Sequence, residues 1–210
     1  YTDMDALSNS GNYSIFCSIT CNTNDISYDD SFSEHFMLNP SGGGIGYIGS
    51  TWLDYPSLSI VQNEEFFRLI FQEKGARLGA AFVNSQLPAI PMIKTRVRQQ
   101  VFLSYLLLGD PELDIFTRIP ATLSVEAPSA IEVGTSDISL GISTTVNGET
   151  VPVAGAVVCL TKEAEVYATG VTDEAGMTAL TITLHSTGVV NLTVTAHDFV
   201  PYTGQFEGQT

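Results

Sequence analysis

From Tyr13 to Cys21 the chain reads YSIFCSITC, apolar at almost every position and rich in aromatic and β-branched residues. That pattern predicts a strand covered on both faces in a parallel sheet. SFSEHFML, Ser31 to Leu38, predicts a short helix opened by Ser31 with Glu34 three residues on, a capping box. GGIGYIGST, Gly43 to Thr51, predicts a second buried strand whose glycines let another element or a ligand approach the backbone. From Ser57 the period turns helical, with Phe66, Phe67, Leu69, Ile70 and Phe71 on one broad apolar face and Gly75 as its stop. ARLGAAFVNSQ predicts another helix ending before Pro88. A third, after Pro91, carries Val97, Val101, Phe102, Tyr105 and Leu108 as far as GDPEL. Strands alternating with helices make this part α/β and three-layered, with a partial parallel sheet.

The rhythm changes near FTRIPATL, so the boundary is placed at residue 118. Beyond it come short β-rich stretches near 121–126, 138–144, 156–162, 165–171, 177–184, 189–197 and 201–206, whose even spacing predicts an all-β sandwich over 119–210. Asn147-Gly148 carries the signal of a tight turn, and TDEAGMTAL reads as a hairpin with Gly176 at positive φ.

Charge narrows the partners. Eight Lys and Arg against 23 Asp and Glu give a net −15, which repels phosphate backbones and anionic lipid, so nucleic acid is excluded as a partner. The split follows the boundary: residues 1–118 hold 7 basic and 13 acidic groups, residues 119–210 hold 1 and 10. The basic cluster Lys94, Arg96 and Arg98 reads as a solvated helix face. No window reaches the ~18 apolar residues of a membrane span, and the first residues lack the parts of a signal peptide, so a leader, if the protein is exported, is expected to be gone.

Three cysteines cannot all pair, and their spacings fit neither a disulfide framework nor a zinc site. Cys17 and Cys21, four apart on a strand, would stand roughly 13 Å from each other. Cys17 and Cys159 read as core residues. Cys21 ends its apolar run and drops into Asn-Thr-Asn-Asp, at the carboxyl end of a strand where open sheets form their ligand crevice. A thiol there is exposed, rigidly held and close to backbone N–H groups, which suits a nucleophile; a half-buried structural cysteine fits the pattern equally well.

The stretch ITCNTNDISYDDSFSEHFMLNPSGGGIGYIGST resembles the nucleophile region of the gingipain family of bacterial cysteine peptidases. LLGDPELDIFTRIPATLSVEAP is similar to that family's Gly-Asp-Pro closing segment and its junction to an immunoglobulin-like domain, and YATGVTDEAGMTALTIT to a hairpin within it. The resemblance implies a caspase-like fold in which Cys21 attacks a peptide carbonyl to form a thioester, its own N–H serving as an oxyanion donor and a histidine as general base and acid. It implies further that Trp52, after YIGST, lines the substrate pocket, that Asp54 would meet a basic P1 side chain, and that Asp25, Asp29, Asp30 and Glu34 offer oxygen ligands to a structural calcium. Those four lack EF-hand order, so a solvated acidic loop is the plainer expectation, and no cofactor is required.

The family's histidine belongs to a His-Gly turn further upstream than the 20 residues that precede Cys21. It is therefore expected before Tyr1, which reads as an imposed start, and this stretch alone is expected to be inactive. Of the histidines present, His35 is expected to cap or face solvent, and His185 and His197 belong to the sandwich. Asp110-Pro111 reads as a turn, and the sequons at Asn12 and Asn191 are discounted.

The leading reading is thus a secreted or surface-bound bacterial cysteine endopeptidase fragment, acting on protein or peptide and partnered by the upstream segment of its own precursor. Two rivals stand beside it: a non-catalytic adhesion protein on a degenerate peptidase fold, and a sortase-like transpeptidase in which an amine resolves the acyl-enzyme.

Overall fold

The computed structural model describes residues 2–27, 30–72 and 77–210. The chain forms two compact units, Tyr1–Ile115 and Phe116–Thr210. In the first, α1 (Thr2–Asp5) precedes β1 (Ser14–Cys17), α2 (Phe32–Leu38), β2 (Gly44–Ser50), α3 (Pro56–Gln72), α4 (Leu78–Ser85), α5 (Arg96–Ser104) and β3 (Tyr105–Gly109). A 3-10 turn over Leu87–Met92 carries the two prolines between α4 and α5.

The sheet order is β1-β2-β3, with β1 parallel and β3 antiparallel to β2. It is therefore mixed, where the sequence predicted parallel. On one face Phe16 stacks on Tyr47 at 5.4 Å and both meet Phe32 and Phe36, the latter pair from α2. On the other, Ile48 packs with Phe66, Leu69 and Ile70 of α3, Leu78 and Ala81 of α4, and Val101 and Tyr105, with Ile15 and Cys17 against them. These are the three layers the pattern predicts. The capping box is present too: Ser31 Oγ accepts from Glu34 N, and Glu34 Oε2 from Ser31 N at 2.8 Å.

Three further expectations are corrected. The strand predicted to run to Cys21 stops at Cys17, because β2 offers parallel partners only to Ile48 and the chain then turns, with Asn22 in the left-handed region at φ 56°. The third helix ends at Ser104, and Tyr105 to Gly109 is a strand; an uninterrupted YLLL run satisfies either period, and pairing with β2 decides it. Gly109 closes that strand at φ 133°, where a Cβ would come within 2.8 Å of Ile45 O. In α3, Phe66, Leu69 and Ile70 are buried, whereas Phe67 and Phe71, one turn apart, stack on each other at the exposed side. Gly75 lies outside the described residues. Asp110 forms the turn expected of it, accepting from Glu112 N at 2.9 Å.

The second unit consists of β4 (Ala121–Thr122), β5 (Ser124–Glu126), β6 (Ala130–Glu132), β7 (Gly134–Val146), β8 (Glu149–Pro152), β9 (Val157–Lys162), β10 (Val166–Val171), β11 (Met177–Leu184), β12 (Gly188–Thr195), β13 (Phe199–Val200) and β14 (Tyr202–Gln209). One sheet has the order β10-β9-β12-β14-β6, another β11-β7-β5 with β8 on β7, and β13 pairs with β4. The two large sheets share one core, built from Ile138, Leu140, Leu180 and Ile182 on one side and Val158, Leu160, Val190, Leu192 and Val194 on the other. Period-2 alternation explains it: in β9 Val158 and Leu160 point inward, which turns Cys159 to the opposite face and corrects its expected place in the core. Asn147 at φ 52° and Gly148 at φ 86° make the two-residue β7–β8 turn. Gly176 has the positive φ predicted, but β10 and β11 lie in different sheets, so its turn is a crossover and not a hairpin.

Lys162, the single basic residue of 119–210, is buried at the end of β9. Its ammonium donates to Glu165 Oε2 at 2.8 Å and to the carbonyl and hydroxyl of Ser186 at 2.6 and 2.7 Å, tying two connections together. The Lys162 ammonium, then the Ser186 hydroxyl and the His185 amide, hold the Glu165 carboxyl down to about 2. A depressed carboxyl stabilises the fold above its unfolded value, and the benefit fades as pH falls toward 2. Urea titrations should therefore show Glu165→Gln less stable than wild type at pH 7, with the two converging near pH 2. Separately, Ser31→Ala should cost about 1 kcal/mol in the same assay through loss of the cap.

Candidate active site

Because β1 and β2 are parallel, the residues that follow both strands emerge on one edge of the sheet. Past β1, Ser18 N still donates to Ile48 O, and the chain then folds across the end of β2: Asn22 N donates to Trp52 O at 3.0 Å and Asn24 N to Ser50 O at 3.1 Å. Asn24 is buried and sends Nδ2 to Leu106 O at 2.8 Å, so the turn is fastened to β3 as well. The thiol of Cys21 is half-buried at this rim and is free.

Its sulfur rests on one residue. Asp54 N donates to Cys21 Sγ at 3.1 Å, and Sγ donates to Asp54 O at 3.3 Å. The side chain of Asp54, expected to meet a basic substrate group, points inward instead and is only 6% exposed. Oδ1 accepts from Tyr55 N at 2.8 Å, and Oδ2 accepts from Ser59 Oγ at 2.9 Å and Tyr105 Oη at 3.1 Å. Three donors compensate a carboxylate that burial would otherwise penalise, and they leave it turned away from the rim. This corrects the pocket assignment of Asp54. Tyr105 Oη also reaches Ser18 O at 3.1 Å, and burial pushes its phenol pKa up.

Trp52 keeps 56% of its surface exposed while its carbonyl accepts from Ser50 Oγ and from Asn22 N. The ring thus stands in the open beside the Cys21 turn. A recess of about 100 Å³ opens between α3 and α5, lined by Leu58, Met92, Ile93, Val101 and Phe102, with Arg98 on its wall. Neither Cys21 nor Trp52 lines it, so the chemistry is read from the thiol and not from this recess.

Cys17 differs in kind from Cys21. It lies against the helical layer, and burial pushes its thiol up to about 12.

The acidic residues proposed for calcium do not converge. Asp25 accepts from Ser27 N and Oγ, Glu34 caps α2, Asp30 pairs with His35, and Asp29 lies outside the described residues. Among the described residues no group of three His, Cys, Asp or Glu is placed to hold a metal.

His35 Nδ1 meets Asp5 Oδ1 and Nε2 meets Asp30 Oδ1, each at 2.5 Å. A neutral imidazole has one N–H, so two carboxylates at two nitrogens select the charged ring. The hydrogen bonds to Asp5 and then Asp30 raise its pKa from 6.5. A raised histidine stabilises fully below its unfolded value and loses that contribution as pH climbs through the folded one. The His35 ring resonances should accordingly titrate above 6.5, with α1 amide exchange quickening over the same interval. Titration of His35 at or below 6.5 would contradict the pairing.

Residues 1–116 of the 210 match the sequence model of peptidase family C25, described as Peptidase family C25. Among solved structures, the chain is 18% identical to that of the Arg-specific cysteine proteinase gingipain R, with a TM-score of 0.80 over 99% of this chain and 48% of that one. It is also 18% identical to a structure described as a protease, at 0.79 over 98% and 49%, and to a complex of pro- and mature domains of a Porphyromonas gingivalis gingipain, at 0.78 over 99% and 49%. The chain therefore spans about half the length of these structures and shares their fold. A search of curated proteins returns no match.

Proposed function

Because the chain belongs to peptidase family C25, we propose that it is the carboxyl part of a gingipain-type cysteine endopeptidase with Cys21 as nucleophile, followed by an immunoglobulin-like sandwich over 119–210. The observation that carries this reading is the place of Cys21: a free, half-buried thiol on the rim set by two parallel strands, beside an exposed tryptophan. In the reaction the sulfur gives up its proton to an imidazole and attacks the peptide carbonyl carbon. A C–S bond forms, and the displaced electron pair resides on oxygen facing the Cys21 N–H. Collapse expels the amine, which takes the proton from the imidazolium. Water then hydrolyses the thioester and regenerates the thiol.

The base is supplied from upstream of residue 1. His35 is unsuited to the task because both its ring nitrogens are committed to Asp5 and Asp30. Trp52 lines the substrate pocket in this reading, and the precursor's upstream segment is the partner that completes the site. One of the similar structures is a complex of pro- and mature domains, which fits a processed precursor. The enzyme is secreted or held at a bacterial surface, with the sandwich as buttress or spacer.

The test is alkylation of the chain joined to its upstream segment, read by peptide mass spectrometry. Iodoacetamide should label Cys21 faster than free cysteine and leave Cys17 unmodified, and Cys21→Ala should abolish hydrolysis of a fluorogenic peptide library. Equal labelling of Cys21 and free cysteine in the extended chain would remove the nucleophile. Transfer of the acyl group to an added amine in preference to water would make the enzyme a transpeptidase.

A further inference from the structure

We propose that Asp54 is the positioning residue of Cys21: its backbone parks the sulfur, and its buried carboxylate holds that backbone in place. The functional meaning of this arrangement rests on Cys21 being the nucleophile, while the arrangement itself does not. A sulfur free to rotate about Cα–Cβ needs two fixed contacts to be held in one rotamer, and Asp54 supplies both, an N–H at 3.1 Å and a carbonyl at 3.3 Å. The peptide groups of Asp54 are in turn held from their own side chain. Tyr55 N fixes Oδ1, the first turn of α3 fixes Oδ2 through Ser59, and β3 fixes it through Tyr105. The Tyr105 hydroxyl divides its one hydrogen between Asp54 Oδ2 and Ser18 O, three residues before the thiol, so a single group sets both sides of the contact.

The two contacts respond differently to loss of the thiol proton. The Asp54 N–H still favours a thiolate, as any donor does. The carbonyl, an acceptor, then faces an anion with no hydrogen between them and repels it. Transfer of the proton to the imidazole thus breaks one of the two contacts and turns the sulfur away from the Asp54 carbonyl. The thiol is parked when neutral and released on ionisation, so that without an imidazole to take its proton it is protected from alkylation and oxidation.

Two conservative substitutions weaken the anchor without touching either contact: Asp54→Asn, which removes an acceptor from Ser59 and Tyr105, and Tyr105→Phe, which removes the shared donor. The readouts are the Raman S–H stretching band of Cys21, assigned by its loss in Cys21→Ala, and the rate of Cys21 alkylation by iodoacetamide at one pH. Unlabelled Cys17 reports an intact fold. Both variants should move the band toward that of a free thiol and speed alkylation about three- to tenfold, the factor one hydrogen bond carries. An unshifted band and unchanged rate in folded variants would overturn the proposal. Should neither variant fold, hydrogen exchange at the Asp54 amide decides it. That amide should exchange about tenfold faster in Cys21→Ala than in wild type, and equal exchange would refute the contact. A shifted band with Cys21 no more reactive than free cysteine in the extended chain would leave the anchor standing and remove the nucleophile; fast Cys21 with an unshifted band would do the reverse.

Discussion

The parallel pairing of β1 with β2 is the constraint on which the rim depends. Had the two strands been antiparallel, the residues after Cys17 and those after Ser50 would emerge at opposite edges, and Cys21 could not approach Trp52 and Asp54. Parallel pairing needs a crossover, and α2 supplies it with its capping box and its two phenylalanines against Phe16 and Tyr47. The same crossover begins with the turn of Cys21 to Asn24, so the segment that makes the topology possible also carries the thiol. β3 then closes the far side, and its first residue, Tyr105, reaches back to Ser18 and Asp54.

What could be read in advance divides along physical lines. Local signals were legible: Ser31 and Glu34 are three residues apart, and a cap is decided within that distance; Asn147-Gly148 needs only its own φ angles. The surfacing of the chain at Cys21 was legible too, since a break from apolar to polar marks it, although the strand itself ends four residues earlier, at Cys17. Signals that depend on a partner were not. Nothing within Tyr105 to Leu108 distinguishes a helix turn from a strand until β2 is alongside, and nothing in the spacing of Phe66 to Phe71 says which rings the sheet covers. Asp54 was misplaced for the same reason. Its donors are 1, 5 and 51 residues away, and the last of them lies on the strand that the sequence concealed.

The two units handle an ionised group inside a core in contrasting ways. Lys162 and Glu165 neutralise each other, and the Ser186 groups complete their hydrogen bonds, so the cluster is closed and serves to join two connections of the β unit. Among the described residues the partners of Asp54 are an amide and two hydroxyls, with no cation. Neutral donors satisfy its hydrogen bonds but leave its charge in place, an arrangement that a core built only for stability would replace with an apolar residue.

That uncompensated charge gives the cost of burying Asp54 a purpose. A glycine or alanine at this position would offer Cys21 the same N–H and carbonyl, since both belong to the backbone, but would leave the loop from Trp52 to Tyr55 without an anchor inside the core. Placing the carboxylate inward fixes the peptide groups from behind, in the manner of a residue that supports a reactive group without touching substrate. Two neighbouring cysteines then acquire different surroundings from position alone: Cys17 is sealed against the helices and kept a thiol by burial, whereas Cys21, four residues on, stands half-buried at the rim with its sulfur against the Asp54 backbone.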